Sequence, residues 1–365
     1  MALVAVHHLL IMKRIAYIDL IKILTIFLVV LGHSTICHGF PKQLIYAFHM
    51  PVFFALFGLT YSLERHHENG FLTVDYVKKK FKRLMLPAFI WAAGYSMIAS
   101  IVNDSFSFTK ILNIVYLSQA SLRQGESLTS IWFLPCMFLS VTFAELLFGF
   151  FYRYSQGFKS FLTYVALSIF LLPCITFFLP RAPHGYPWCL NLVPLATAMI
   201  MIGYLAAKSF DLMERNVKKR YVLDLIVLSI SFVFLCISCK INLHFISGNN
   251  VDMASAKFGN PLLYMVCSIS GLFMMMGLCK LISPDNLSTP LSFIGENTLA
   301  IFLLHKPLIV GIGNIMKSHG QGNIIMALIS SMVVLIVCAV GAFFINRLCP
   351  QLIGNSRFHR EISSK

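Results

Sequence analysis

Long apolar segments, separated by short polar stretches, recur along the whole chain. Each is close to the roughly 20 residues that a helix needs to cross the hydrocarbon core of a bilayer. Backbone polar groups in lipid must be paired within the segment, and the segments lack the period-two alternation of barrel strands. The pattern therefore predicts ten membrane-spanning helices, at residues 15–32, 44–63, 84–102, 131–152, 161–179, 190–207, 222–239, 261–279, 291–316 and 324–348.

The basic residues are divided unevenly between the two ends of these helices. With the N-terminus inside, most of the 29 Lys and Arg residues flank the inner ends, as cytoplasmic loops do. We therefore expect an all-α, polytopic integral membrane bundle with both termini in the cytoplasm. Its predicted parts are a cytoplasmic segment at 1–14, a single membrane domain at 15–348 and a cytoplasmic tail at 349–365. Met12, which two basic residues follow, is a more natural start than the first residue, so 1–11 is open to interpretation as a start-site artefact.

The composition excludes a soluble protein. Hydrophobic residues make up 58% of the chain, charged residues only 12%, and the mean hydropathy is +0.79, whereas soluble domains carry about 25% charged residues. Basic cytoplasmic loops account for the net charge of +15, so we expect the lipid bilayer as a partner and no nucleic acid. Most of the ten Cys lie in apolar segments, where a thiol behaves as a small hydrophobic group, and no metal site is predicted.

The first predicted helix carries charged residues that need an explanation. A charge near the centre of a bilayer costs about 2.5–3.5 kcal/mol on insertion scales. Asp19 and Lys22 are three residues apart, so they share a helix face and can pair. His33 ends the same helix on the same side, about 21 Å from Asp19 along the axis. A structural ion pair and a functional role are equally open for Asp19 and Lys22.

Two further histidines, His49 and His305, are expected at outer or middle depth, as is His33. Imidazole titrates near neutral pH and can act as a general base. Three histidines can instead hold zinc, but that alternative needs a tight convergence that the sequence does not show.

A basic loop at residues 78–83 leads into the third predicted helix. One interpretation is a topology determinant that also contacts anionic lipid headgroups, and composition alone favours it. The other is a phosphate clamp for a cytosolic donor. Glu145 and Glu296 are further carboxylates in apolar surroundings, and residues 119–129 form a polar outer loop that can meet a hydrophilic acceptor.

Five sequence blocks, in the same order, resemble the acyltransferase-3 family of integral membrane acyltransferases. The likeness runs from about Lys13 to His305, and the ordered set is much more specific than any single block. The closer similarity is to the fucose 4-O-acetylase-like branch. The blocks are RIAYIDLIK with VVLGHS (14–22 and 29–34), YAFHMPVFF (46–54), WFLP (132–135), GNPL (259–262) and FIGENTL leading to His305 (293–305).

The resemblance implies ten helices and the transfer of an acyl group, usually acetyl, to a carbohydrate hydroxyl. It implies acyl-coenzyme A as the donor, a substrate reached from the cytosol and not a tightly bound cofactor, and a bacterial inner membrane as the location. The family's essential histidine corresponds to His33, and its Arg-x-x-Arg pattern falls on Lys80 and Arg83. Lys80 is a departure, because an ammonium lacks the bidentate fork of Arg.

These residues predict a mechanism for carbohydrate O-acetylation. The expected catalytic residues are His33, His49, His305 and Asn297. The expected donor-binding residues are Asp19, Lys22, Lys80, Arg83 and Trp132. His33 removes the proton from a sugar hydroxyl as it attacks the thioester carbonyl. Asn297 or His49 donates to the oxyanion, and His305 orients the acceptor.

Several alternatives stay open at the level of sequence. His33 can carry a covalent acyl group instead of acting as a general base. A transporter or flippase of lipid-linked glycans also has inward-facing polar residues, although the chain has few paired carboxylates of the kind that proton-coupled carriers use. A third class passes the acyl group across the bilayer to an external partner. The acceptor, a polysaccharide or a lipid-linked oligosaccharide, the acyl group and the oligomeric state are equally open.

Overall fold

A computed structural model of the chain describes residues 2–64, 66, 70–216, 220–246, 251–283, 287–319 and 323–354. For residues 2–15 and 211–216 it describes the backbone only. Most of the predicted tail, from residue 355 onward, lies outside the described residues, as does Met1.

The chain divides into two compact units, which we describe separately. Unit 1 comprises Met1–Leu59, Gly203–Asp252 and Phe258–Ala342. Unit 2 comprises Thr60–Ile202, Met253–Lys257 and Phe343–Lys365. A single membrane domain at 15–348 stays a prediction.

Helices account for nearly all of the regular structure, and there are no strands among the described residues. The α-helices are α1 (Ala2–His33), α2 (Gly39–Leu59), α3 (Val74–Lys80), α4 (Leu86–Val102), α5 (Phe108–Tyr116), α6 (Gln119–Gln124), α7 (Phe133–Tyr154), α8 (Phe158–Phe178), α9 (Val193–Asn216), α10 (Arg220–Asn242), α11 (Pro261–Ile282), α12 (Thr289–Glu296), α13 (Thr298–Ser318) and α14 (Ile324–Leu348). A π-helical turn at Phe81–Met85 joins α3 to α4. Short 3-10 helices lie at Thr129–Trp132, Pro187–Leu192, Leu243–Phe245 and Pro350–Ile353.

The prediction of ten membrane-spanning helices is confirmed. Within the described residues, ten helical stretches are long and apolar enough to cross a membrane, and the chain is a multi-pass membrane protein. The stretches are Ala16–His33, Gly39–Leu59, Val74–Val102, Thr129–Tyr154, Phe158–Phe178, Pro187–Phe210, Arg220–Phe245, Pro261–Ile282, Thr298–Ser318 and Ile324–Leu348.

The bounds of two helices differ from those that the apolar pattern predicts. α1 extends back to Ala2, so helical backbone continues well before the predicted start at residue 15. The predicted ninth helix, 291–316, is two helices that meet at Asn297. Asn297 has φ −105° and ψ 22°, outside the helical range, and its side-chain amide donates to the Phe293 carbonyl at 2.8 Å. Hydrophobicity continues through this break, so the apolar pattern does not reveal it.

In unit 1, α1 packs against α2, α11, α12 and α13. Two glycines allow helices to approach closely, as small residues do in membrane bundles. A Cβ built on Gly271 of α11 would collide with the Cβ of Phe48 on α2. One built on Gly203 of α9 would meet the backbone carbonyl oxygen of Ala55 on α2. α2 is therefore held tightly from two directions.

In unit 2, polar contacts tie the connecting segments to the helices. Lys110 of α5 forms an ion pair with Glu126 at 2.7 Å. This hydrogen bond from Lys110 is the main reason why the pKa of Glu126 is lowered. Near the end of the described chain, the Trp91 indole of α4 donates to the Leu352 carbonyl at 2.7 Å. Short polar contacts thus complement the apolar packing of α7, whose inward face is deeply buried.

Candidate active site

His33 and His305 meet in unit 1. His33 is the last residue of α1, and His305 lies in α13. Their ring centroids are 5.2 Å apart, with 41° between the ring planes. His305 is fully buried, whereas His33 is half-buried. The His305 imidazole is therefore enclosed, whereas the His33 imidazole is partly accessible.

Tyr46 connects this pair to His49 on α2. The Tyr46 ring centroid lies 6.4 Å from that of His33 and 5.2 Å from that of His49. The structure therefore brings the three predicted histidines together in one row of ring contacts, from His305 through His33 and Tyr46 to His49. Tyr46 was absent from the predicted site, although its position three residues before His49 places both on one helix face.

The hydrogen bonds of two histidines determine which ring nitrogen carries a proton. Nδ1 of His49 lies 2.7 Å from the Ile45 carbonyl oxygen, and Nδ1 of His305 lies 2.7 Å from that of Phe302. A carbonyl can only accept, so Nδ1 donates in both rings, and Nε2 of each neutral imidazole is an acceptor. Nε2 of His305 is buried and has no partner among the described residues. A lone pair is thus available to a ligand.

Each of these two histidines stands two residues before a proline inside its helix. Pro51 follows His49 in α2, and Pro307 follows His305 in α13. Proline has no N–H and crowds the preceding turn, so it loosens the helical hydrogen bonding there. This His-x-Pro pattern is a local signal in the sequence that both histidines occupy irregular turns.

Two lysines and one aspartate contribute charge near the histidines. Lys42 and Lys306 are within electrostatic range of His33. Lys42 also donates to the Ser34 carbonyl at 3.3 Å. Asp252, in the segment between α10 and α11, is within electrostatic range of Tyr46 and His49. None of these three residues was predicted, because their proximity to the histidines depends on tertiary packing.

The turn after α1 adds hydroxyl groups and one thiol. The Oγ atom of Ser34 and the Oγ1 atom of Thr35 are buried and have no partner among the described residues. Burial raises the pKa of the Cys37 thiol, with Lys42 opposing the shift. Cys37 therefore stays protonated near neutral pH and is a poor nucleophile. The chemistry available here is that of imidazoles and hydroxyl groups.

Asp19, Lys22 and Asn297 lie away from the three histidines. Asp19 and Lys22 form the predicted ion pair, with a distance of 2.7 Å between Nζ and Oδ1. A Cβ built on Gly295, two residues before Asn297, would lie 3.1 Å from the Cβ of Asp19. Asn297 is eight residues from His305, about 12 Å along the helix axis. The structure therefore groups Asn297 with Asp19 and does not place it beside His305.

The remaining predicted donor-binding residues belong to unit 2. Lys80 ends α3, and its Nζ lies 5.1 Å from the centroid of the Tyr76 ring. Arg83 follows in the π-helical turn and is exposed. π-Helical turns occur often at functional sites. Trp132 is 6% exposed and packs edge-on against Phe133, so its indole is enclosed, unlike the Arg83 guanidinium.

The histidine cluster is not arranged as a metal site. Throughout the described ranges, no three His, Cys, Asp or Glu side chains are grouped so that they could hold a metal ion. The three-histidine zinc alternative therefore has no geometric support in this part of the chain. The imidazoles are better suited to proton transfer and hydrogen bonding.

Comparison with known proteins gives one match. The family model described as an acyltransferase domain, acyltransferase-3, matches residues 15–343. This match covers all ten candidate spans except the end of the last and includes every predicted site residue. The chain has no match among curated proteins or among solved structures.

Proposed function

The chain belongs to the acyltransferase-3 family and is a membrane acyltransferase, and from this premise we propose that it is a carbohydrate O-acetyltransferase. The donor is acetyl-coenzyme A or another acyl-coenzyme A, and the acceptor is a hydroxyl of a cell-envelope or secreted carbohydrate. The observation that carries the proposal is the continuous row of ring contacts that joins His305, His33 and His49 through Tyr46. Such a group supplies a base, hydrogen-bond donors and an unpartnered acceptor in one place.

The proposed chemistry is attack of an acceptor hydroxyl on the thioester carbonyl. The His33 imidazole takes the hydroxyl proton while the acceptor oxygen forms the new ester bond. The bond between carbon and sulfur then breaks, and the thiolate of coenzyme A recovers the proton. Positioned general-base catalysis of this kind contributes about 10²–10⁴-fold to the rate.

The neighbouring groups fit the remaining needs of this reaction. Nε2 of His305, which is buried and has no partner among the described residues, accepts a hydrogen bond from a second hydroxyl of the acceptor and so orients the attacking one. The charges of Lys42 and Lys306 favour the oxyanion that develops on the carbonyl oxygen. Of the two oxyanion donors predicted from the sequence, His49 lies in this cluster, but it donates to the oxyanion only as an imidazolium, because Nδ1 already donates to the Ile45 carbonyl.

The donor is proposed to enter from the cytosol. Its phosphates bind Lys80 and Arg83, and Trp132 belongs to the same donor-binding set. The Asp19–Lys22 pair holds the first helix or lines the donor route. This arrangement requires both termini in the cytoplasm, which the distribution of Lys and Arg supports. The proposed location is a bacterial inner membrane, and the proposed branch is the fucose 4-O-acetylase-like one.

The decisive experiment compares wild type with His33→Ala in nanodiscs containing radiolabelled acetyl-coenzyme A and a pool of cell glycans. His38→Ala is the matched control, because His38 is an exposed histidine five residues further along the chain. We expect His33→Ala to lower glycan labelling and glycan-dependent release of coenzyme A by about 10² or more, and His38→Ala to leave both unchanged.

Each other outcome has a definite meaning. Full activity of His33→Ala would contradict the assignment of the base. No donor binding and no release by folded wild type would favour the transporter alternative, to be examined by glycan flux. Label retained on wild-type protein but absent from His33→Ala would indicate a covalent acyl-His33 intermediate.

A further inference from the structure

A second polar group in unit 2 surrounds a buried carboxylate. Glu145 lies in α7 and is only 1% exposed. The Tyr61 hydroxyl donates to its Oε2 at 3.0 Å, and Nδ1 of His66 lies 2.7 Å from its Oε1. A carboxylate in a membrane helix requires such partners. Both oxygens of Glu145 are therefore engaged by donors from the segment that follows α2.

Aromatic contacts connect Glu145 to Lys80. The His66 ring stacks on Tyr61, with centroids 4.4 Å apart, and meets Tyr76 edge-on at 5.7 Å. The Nζ atom of Lys80 lies 5.1 Å from the Tyr76 ring centroid. His66 thus packs on the same tyrosine ring that contacts the lysine. The position of Tyr76 is set jointly by α3 and by the pair formed by Glu145 and His66.

The Tyr76 hydroxyl is the exception in this well-bonded group. Its Oη atom is buried and has no hydrogen-bond partner among the described residues. A buried hydroxyl without a partner is costly, so such a group calls for an explanation. The Glu145 carboxylate is within electrostatic range of Tyr76, the Lys80 ammonium lies against the Tyr76 ring, and Arg83 is within electrostatic range of Lys80. An O–H donor on a ring that an ammonium contacts, with a guanidinium three residues after that ammonium, suits a phosphate group.

We propose that the Tyr76 hydroxyl, together with Lys80 and Arg83, binds a phosphate of the acyl donor, and that Glu145 is a positioning residue acting through His66. This inference rests on the proposed function, since it names further residues for the donor. Tyr61 and His66 each donate to one carboxylate oxygen of Glu145, and His66 packs on the Tyr76 ring, so Glu145 orients the tyrosine through His66.

The first test measures coenzyme A binding by calorimetry to wild type and to Tyr76→Phe in phosphatidylcholine nanodiscs. The substitution removes one oxygen that has no partner in the described structure, so folding is preserved. We expect about tenfold weaker binding, as for one lost hydrogen bond to a charged group. Tyr154→Phe is the matched control, because its side chain is exposed at the end of α7; we expect it to bind as wild type does.

The outcomes separate this inference from the proposed function. If wild type binds coenzyme A and Tyr76→Phe binds it equally well, the inference is wrong and the proposed function stands. If folded wild type binds no coenzyme A, the proposed function itself fails.

A lipid phosphate has the same chemistry as a donor phosphate, so nanodiscs with phosphatidylglycerol form a second arm. The donor assignment predicts the same tenfold effect of Tyr76→Phe in both lipids. If Tyr76→Phe instead abolishes only a thermal stabilisation by phosphatidylglycerol, the site belongs to a lipid headgroup and the donor assignment is overturned.

Glu145→Gln tests the positioning role through steady-state kinetics. We expect a several-fold higher KM for the donor with kcat nearly unchanged, because the loss affects donor binding and not the reacting atoms. Asp104→Asn, which removes the same charge from an exposed position elsewhere in unit 2, should leave both constants unchanged. A lower kcat at unchanged KM would contradict a positioning role at the donor site.

Discussion

Replacing Gly271 by alanine tests whether close helix packing holds the histidine cluster in place. The added Cβ would lie 2.6 Å from the Cδ2 of Phe48 and closer still to its Cβ and Cγ. Ordinary contact begins near 3.4 Å, so α2 and α11 must separate by about 1 Å. The Cβ of Phe48 is fixed to the backbone, so no change of rotamer relieves the clash.

This separation affects both stability and activity. Overpacking of this kind costs about 1–3 kcal/mol of folding free energy. α2 carries His49 and Tyr46, and a misplacement of about 1 Å in an active site can cost 10²-fold in rate. We therefore expect Gly271→Ala to lower acyl transfer about a hundredfold without removing any polar group.

The assay is acetyl transfer per folded molecule, measured together with thermal unfolding. Gly311→Ala is the control, because a Cβ at that position of α13 meets nothing within 4 Å. The control should be neutral or slightly stabilised, since alanine favours a helix over glycine by about 1 kcal/mol. Wild-type transfer and melting temperature in Gly271→Ala would refute the reasoning, because α2 could then move without consequence.

Two further predictions concern ion pairs. Lys22→Met leaves the largely buried Asp19 carboxylate without its partner. We therefore expect the folding free energy to fall by about 1–3 kcal/mol, and the double variant with Asp19→Asn to recover part of this loss. A double variant that unfolds at a lower temperature than Lys22→Met would contradict this prediction. The hydrogen bond from Lys110 lowers the pKa of Glu126 in the folded protein. The pair therefore stabilises the fold fully above the pKa that Glu126 has in the unfolded chain, about 4.3. This stabilisation is lost as the pH falls through the lowered pKa of the folded state. Melting curves of wild type and Glu126→Gln should therefore differ at pH 7 and converge in acid; a difference that grows below pH 4 would exclude this linkage.

The number of helices follows from the sequence because a membrane imposes strong local constraints. Each span needs a long apolar segment whose backbone bonds are internal, and both requirements are visible in consecutive residues. The pair formed by Asp19 and Lys22 is likewise local, because a spacing of three residues places both on one helix face. The break at Asn297 was not visible, because its cause is backbone geometry within a continuous apolar run.

The sequence by itself determined an all-helical, ten-span membrane protein and nominated His33, His49 and His305. Only the tertiary structure decided that these three rings are joined in one row of contacts that includes Tyr46, and that Asn297 does not join them. It also decided that Tyr61 and His66 satisfy Glu145, a residue about 80 positions away along the chain. The physical reason is that hydropathy and helix periodicity act over one or two turns, whereas contacts between helices depend on packing that no single segment encodes.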